Sequence, residues 1–205
     1  MALRRGTSRD DTLLGSAGDD EIDRALADAG IDTVLASVDY VLGSAQEHLR
    51  LVGAADLSGT GNPQANQVTG NAGDNRLSGG AGADRLLGLE GSDVLIFDPR
   101  DLRVDGGGGI DTLLVTGGGR DYDVDDLAKV RQVEILDLRG SGANRVALDG
   151  ARVTALAGGA ALRVLADADD EVTLQGDWSA GAPRTLDGVV FDRYVSGAAR
   201  VDIQR

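Results

Sequence analysis

The chain has 205 residues, enough for one large domain or two small ones, and 41% of them are apolar, but aromatics make up only 3%. That balance favours a thin, repetitive core over a thick globular one. A formal charge of -14 repels nucleic-acid phosphates and draws divalent cations, and the absence of cysteine excludes disulfides and thiolate metal sites.

The 31 glycines lack the every-third-residue spacing of collagen and so serve turns. Nothing in Met1 to Asp11 is apolar enough for a signal peptide, and no window approaches a membrane span. No membrane span is expected, and export would need another route.

The first patterned segment is a short run of nine-residue units. Gly6 to Leu14 carries Asp11 and Leu13, with Arg9 where glycine is expected, and Gly15 to Asp23 carries Asp20 and Ile22. A looser copy follows at Gly30-Ile31-Asp32-Thr33-Val34.

The stricter run begins at Gly61 and continues through Gly70, Gly79, Gly88 and, after one irregular unit, Gly106. In the same phase the sixth position reads Asn66, Asn75, Asp84, Asp93 and Asp111, and the eighth reads Val68, Leu77, Leu86, Leu95 and Leu113. The purest copies, 79–87 and 106–114, fit G-G-x-G-x-D-x-U-x, the calcium-binding nonapeptide, with Gly79, Gly80 and Gly82 in one and Gly106, Gly107 and Gly109 in the other. Gly88 and Gly91 hold the corresponding places in the unit carrying Asp93.

Each unit combines a glycine turn with a three-residue strand whose central apolar side chain points inward, and one unit cannot bury that side chain alone. Two units make a full coil, so a loop is expected to stack on the loop eighteen residues away. Asp93 then faces Asn75 on one side and Asp111 on the other. Stacked carboxylates and carbonyls supply the six to eight oxygens calcium prefers, and without a cation they set like charges together. The expected ligands are Asp84, Asp93 and Asp111, with Asn66, Asn75, Asp11 and Asp20 as further candidates. The amides of Asn66 and Asn75 equally suit a purely hydrogen-bonding role. The irregular unit 97–105 has Leu102 at the sixth position and Pro99 in its loop, which leaves Asp84 without a partner carboxylate unless Asp98 or Asp101 supplies one.

On these columns the chain resembles the repeats-in-toxin (RTX) family. The resemblance implies a parallel β-roll, a β-solenoid of nonapeptide repeats, and type I secretion from a bacterium. It also implies an extracellular location, with retention at the cell surface left open. Gly59-Thr60-Gly61-Asn62 and the stretch Glu47 to Leu49 are similar to the lead-in and spacer of large RTX adhesins.

Beyond Thr116 glycine thins and alternation takes over at 134–138, 145–148 and 162–165, which read as strands. Asp123 to Val133 is read as a short helix or as none. Ala166 to Val172 resembles a degenerate repeat with Asp170 and Val172 in phase, which makes it a further candidate cation site. The final segments, 188–191, 194–197 and 201–203, resemble the terminal strands of RTX adhesins. The expected organisation is all-β: an N-terminal block and spacer over 1–58, a calcium-binding β-roll over 59–115, and a strand-rich capping region over 116–205.

No catalytic constellation accompanies this pattern. His48 is the single histidine, the glycine runs 106–109 and 117–119 lack a following Lys-Ser or Lys-Thr, and no paired carboxylates stand in unlike environments. The expectation is a non-enzymatic calcium-binding module that folds after export. Two other readings stay open: an adhesive module using Trp178, Phe191 and Tyr194 on a surface glycan or protein, and the export tail of a secreted hydrolase.

Overall fold

The computed structural model describes residues 12–15 and 30–204, apart from 124 and 141. These residues form a strand-rich fold of mostly parallel sheets, in two compact units divided between Gly109 and Ile110.

The first unit contains β1 (Thr12–Gly15), β2 (Thr33–Ala36), β3 (Tyr40–Val41), β4 (His48–Leu51), β5 (Ser58–Thr60), β6 (Gln67–Thr69), β7 (Arg76–Ser78), β8 (Arg85–Glu90), β9 (Val94–Phe97) and β10 (Arg103–Gly108). From β3 onward successive strands alternate between two parallel sheets. One has the order β1-β2-β4-β6-β8-β10 and the other contains β3-β5-β7-β9. Within the strict repeats the register is eighteen residues: Gln67 lies opposite Arg85, Arg85 opposite Arg103, Ser58 opposite Arg76 and Arg76 opposite Val94. That is the interval two nine-residue units require.

The apolar column of the repeat becomes the core. Val34, Leu49, Val68, Leu86 and Val104 stack in consecutive strands of the first sheet, each at most 1% exposed. Leu77 and Leu95 pair in the second sheet and are fully buried. A Cβ added to Gly59 would stand 3.1 to 3.3 Å from Leu49, Val68 and Leu77, so the two columns meet with no room left between them. Burying one such side chain is worth about 1.5–3 kcal/mol, and a core one side chain deep depends on every member of the column.

The second unit contains β11 (Thr112–Val115), β12 (Asp121–Tyr122), β13 (Val130–Arg131), β14 (Ile135–Asp137), β15 (Arg145–Asp149), α1 (Gly150–Leu156), β16 (Ala161–Leu165), β17 (Glu171–Gln175), β18 (Ser179–Ala180), β19 (Arg184–Leu186), β20 (Val189–Ser196) and β21 (Ala199–Gln204). Strands β11, β14, β16 and β21 pair in parallel, β20 joins antiparallel to β21, and β12, β15 and β17 form a separate parallel sheet. The nonapeptide interval is gone: Thr112 pairs with Ile135, and Ile135 with Arg163.

Among the described residues of the segment Asp123 to Val133 there is one 3-10 turn, Asp126–Lys129, before β13, and Leu127, Val130 and Val133 are all buried. The α-helix lies further on, at α1, where the Asp149 side chain accepts from the Arg152 amide at 2.6 Å and Val153 and Leu156 are buried. Phe191 is also in the core, which removes it from any exposed aromatic platform with Trp178 and Tyr194. One buried acid of this unit, Asp202, is neutralised directly: Arg193, its cross-strand neighbour, grips it with two hydrogen bonds of 2.6 Å. No helix among the described residues is long and apolar enough to cross a membrane.

Candidate metal centre

The sixth-position side chains of the regular units from Gly61 onward turn inward at the ends of the strands. Asn66 and Asn75 are 4% and 2% exposed, and Asp84, Asp93 and Asp111 are wholly buried. Each loop residue grips the loop one coil earlier: Asp84 Oδ1 accepts from the Asn66 amide, and Asp93 Oδ1 from the Asn75 amide, both at 2.7 Å. Asp84 and Asp93 therefore serve two separate stacks of loops. A neighbouring ladder runs in the opposite sense, Asp56 accepting from the Asp74 amide at 2.8 Å and Asp74 from Ser92 at 2.6 Å.

Glycine makes this closeness feasible. A Cβ on Gly79 would collide with the Asp84 carboxylate, and one on Gly88 with the Asp93 carboxylate and the Gly106 carbonyl. Gly80, Gly82, Gly91, Gly107 and Gly109 have positive φ and face the carbonyls of Asn62, Gln64, Gly73, Leu89 and Gly91 respectively. At Gly82 (φ +134°) both constraints coincide, since a Cβ would strike the Gln64 carbonyl.

The asparagine loops satisfy their oxygens internally. Asn62 Nδ2 donates to the carbonyls of Gly43 and Gln46 at 2.6 and 2.7 Å, and Asn71 Nδ2 to that of Ala55 at 3.0 Å. The Asn66 and Asn75 side-chain oxygens accept from the Asn62 and Asn71 amides, both at 2.7 Å. Their carbonyl groups are thus engaged, which favours the hydrogen-bonding role over calcium ligation for both residues. In the units above, position two is Gly80, Leu89 or Gly107, and no side-chain amide is available to do the same.

At Asp84 the consequence is visible. Its Oδ2 is buried and has no hydrogen-bond partner among the described residues. Burial pushes its carboxyl above the usual range, against the Asn66 amide, which lowers it. A buried carboxylate oxygen with no proton donor, beside glycines that admit carbonyl oxygens, suits a hard cation that takes oxygen ligands. Among the described residues no three acidic or histidine side chains converge, so most of the ligands to such an ion would be backbone carbonyls.

Two segments of the chain, residues 5–23 and 60–95, match the model of the RTX calcium-binding nonapeptide repeat, in four copies. This chain carries RTX repeats. A search of curated proteins gave no match. The second RTX segment ends at Leu95, before the irregular unit and the copy beginning at Gly106. The first contains Asp11 and Asp20, which lie outside the described residues. Asp111 belongs to the second unit, where its amide donates to Glu134 Oε2 at 3.0 Å and its carbonyl accepts from Glu134 and Ile135.

Asp170 carries out the same operation without a strict repeat. Its Oδ1 accepts from the Asn144 amide at 2.9 Å and its Oδ2 from the Asp167 amide at 2.8 Å, so both oxygens are engaged and a cation is not required there. The sequence reading missed the donor role of Asn62 and Asn71. The available signal was that asparagine stands at position two only in the units that also have asparagine at position six.

Proposed function

We propose that this chain is a non-catalytic calcium-binding module of a secreted RTX protein, whose aspartate loops close into a β-roll when calcium enters them. The observation carrying this reading is the wholly buried Asp84 carboxylate, one oxygen of which has no donor among the described residues. Calcium supplies the missing positive charge and accepts carbonyl oxygens in the same shell, with Asp84, Asp93 and Asp111 each as the carboxylate of its own loop and not as ligands of one shared ion.

Extracellular calcium modules have dissociation constants of roughly 10⁻⁴ to 10⁻³ M, far above cytosolic calcium, so the aspartate loops stay unfilled inside the cell and order outside it. A chain exported by a type I system would use that difference to cross in a loose state. Isothermal titration with calcium, paired with circular dichroism in chelator and in millimolar calcium, tests the reading. Uptake with a gain of β signal is expected. No calcium uptake by the purified chain would overturn it.

A further inference from the structure

The irregular unit 97–105 reverses the burial pattern of its neighbours. In the units carrying Asp84, Asp93 and Asp111 the sixth residue is buried and the fifth is not, whereas here Asp101, the fifth, is 2% exposed and Leu102, the sixth, is 53% exposed. The cause is a tight turn at Pro99: the Asp101 amide donates to the Asp98 carbonyl at 2.9 Å, and the Asp98 amide donates to Asp101 Oδ2 at 3.0 Å. The chain then returns to register, with the Leu102 amide donating to the Asp84 carbonyl at 2.8 Å and Arg103 opposite Arg85. The turn thus delivers a carboxylate to the loop stacked on Asp84 from a position the repeat pattern does not assign.

Two oxygens there are buried without a hydrogen-bond partner among the described residues, Asp84 Oδ2 and Asp101 Oδ1. Asp101 also feels the Asp84 charge: burial, together with Asp84 and Asp98, pushes it up to about 7, while the Asp98 and Asp84 backbone groups pull the other way. The nearby cation makes no hydrogen bond to either, and its charge favours the Asp84 carboxylate less than the Asp98 charge disfavours it. Arg100 is spent on Asp98, with Nε to Oδ1 at 3.0 Å and Nη2 to Oδ2 at 2.6 Å, and its side chain is 61% exposed. With Asp98 matched by Arg100, two buried carboxyl groups remain, and their ionised forms together carry the charge a divalent ion balances.

We propose that Asp84 and Asp101 jointly hold a hard divalent cation, calcium in the extracellular setting, so that the irregular unit is a substituted ion site and not an interruption in the row. This rests on the calcium reading above, and adds a ligand from outside the matched repeats. The remaining ligands would be backbone carbonyls of the two loops.

The test is ion counting by native mass spectrometry at saturating calcium on the full chain and on D101N, D98N and D93N. D101N is expected to hold one ion fewer than the unaltered chain and D98N the same number, with D93N losing an ion from the other stack. An unchanged count in D101N, or an equal loss in D98N, overturns the proposal while leaving the calcium reading intact provided D93N loses an ion. No calcium on the unaltered chain defeats both. Should D101N fail to fold, crystals of the unaltered chain soaked in terbium decide: an anomalous peak between Asp84 and Asp101 is expected, and peaks at the Asp93 loop alone overturn the assignment.

Discussion

Replacing Asp84 with asparagine keeps the shape of the side chain and the oxygen that accepts from the Asn66 amide, but removes the charge and turns the donorless Oδ2 into an NH₂. In chelator the substitution relieves a buried acceptor that lacks a donor, and D84N should gain about 1–3 kcal/mol over the unaltered chain. In calcium the unaltered chain gains about 2.7 kcal/mol that D84N does not, because binding at one hundred times the dissociation constant adds that much to the form that binds. The unknown relief cancels when the two conditions are compared, so the swing of about 2.7 kcal/mol is the measurable quantity. For a chain of this size it corresponds to roughly 5–11 °C in Tm, from about 2–4 °C per kcal/mol. Thermal denaturation by circular dichroism in chelator and in 10 mM calcium reads it directly. A D84N shift of the same sign and size in both conditions would refute the idea that this carboxylate is there for an ion.

Other outcomes follow from the same geometry. N62A removes two short donations to the Gly43 and Gln46 carbonyls and should cost about 1–3 kcal/mol equally in calcium and in chelator, measured by urea denaturation. G82A forces a side chain into φ +134° and against the Gln64 carbonyl, and should cost more than the roughly 1–3 kcal/mol of backbone strain alone. G117A, at φ +86° with open space around it, supplies the strain-only comparison in the same melt. L86A empties a wholly buried place in the first-unit column and should cost about 2–5 kcal/mol by denaturant titration. In chelator, Asp101 makes the folded chain hold an extra proton between its ordinary 3.8 and about 7. Its contribution to stability therefore falls as pH rises through that window and levels off above it, by roughly 4 kcal/mol, as the difference between the unaltered chain and D101N. A difference that grows with pH would contradict the burial of Asp101 beside Asp84.

The repeat columns made the first unit legible. Strict nine-residue spacing of Gly, Asp or Asn and Leu or Val dictates the eighteen-residue register and the inward apolar column, and both are present. The asparagine donors were hidden because their acceptors, at Gly43, Gln46 and Ala55, belong to a stretch with no repeat, so only folding brings them into reach. The reversal at Asp101 and Leu102 was hidden for a related reason: periodicity assigns position six to the interior, and a local turn at Pro99 overrides it. In the second unit the strands at 135–137, 145–149 and 161–165 were readable from alternation. Their pairing was not, since the intervals between partners follow no fixed count. Helix α1 is seven residues long and opens on glycine, and its one signal was the Asp149 cap.

The reversed unit has one more effect, on bookkeeping along the chain. Where successive loops are nearly identical, displacing the polypeptide by one whole coil exchanges each loop for a near copy and costs little, so alignment is poorly determined. A displacement of that kind past residues 97–105 would bring Leu102, now 53% exposed, to a place built for a buried acid, and would carry Asp101 away from Asp84. The odd unit thereby marks a unique origin on an otherwise repeating ruler, and every other rung is counted from it.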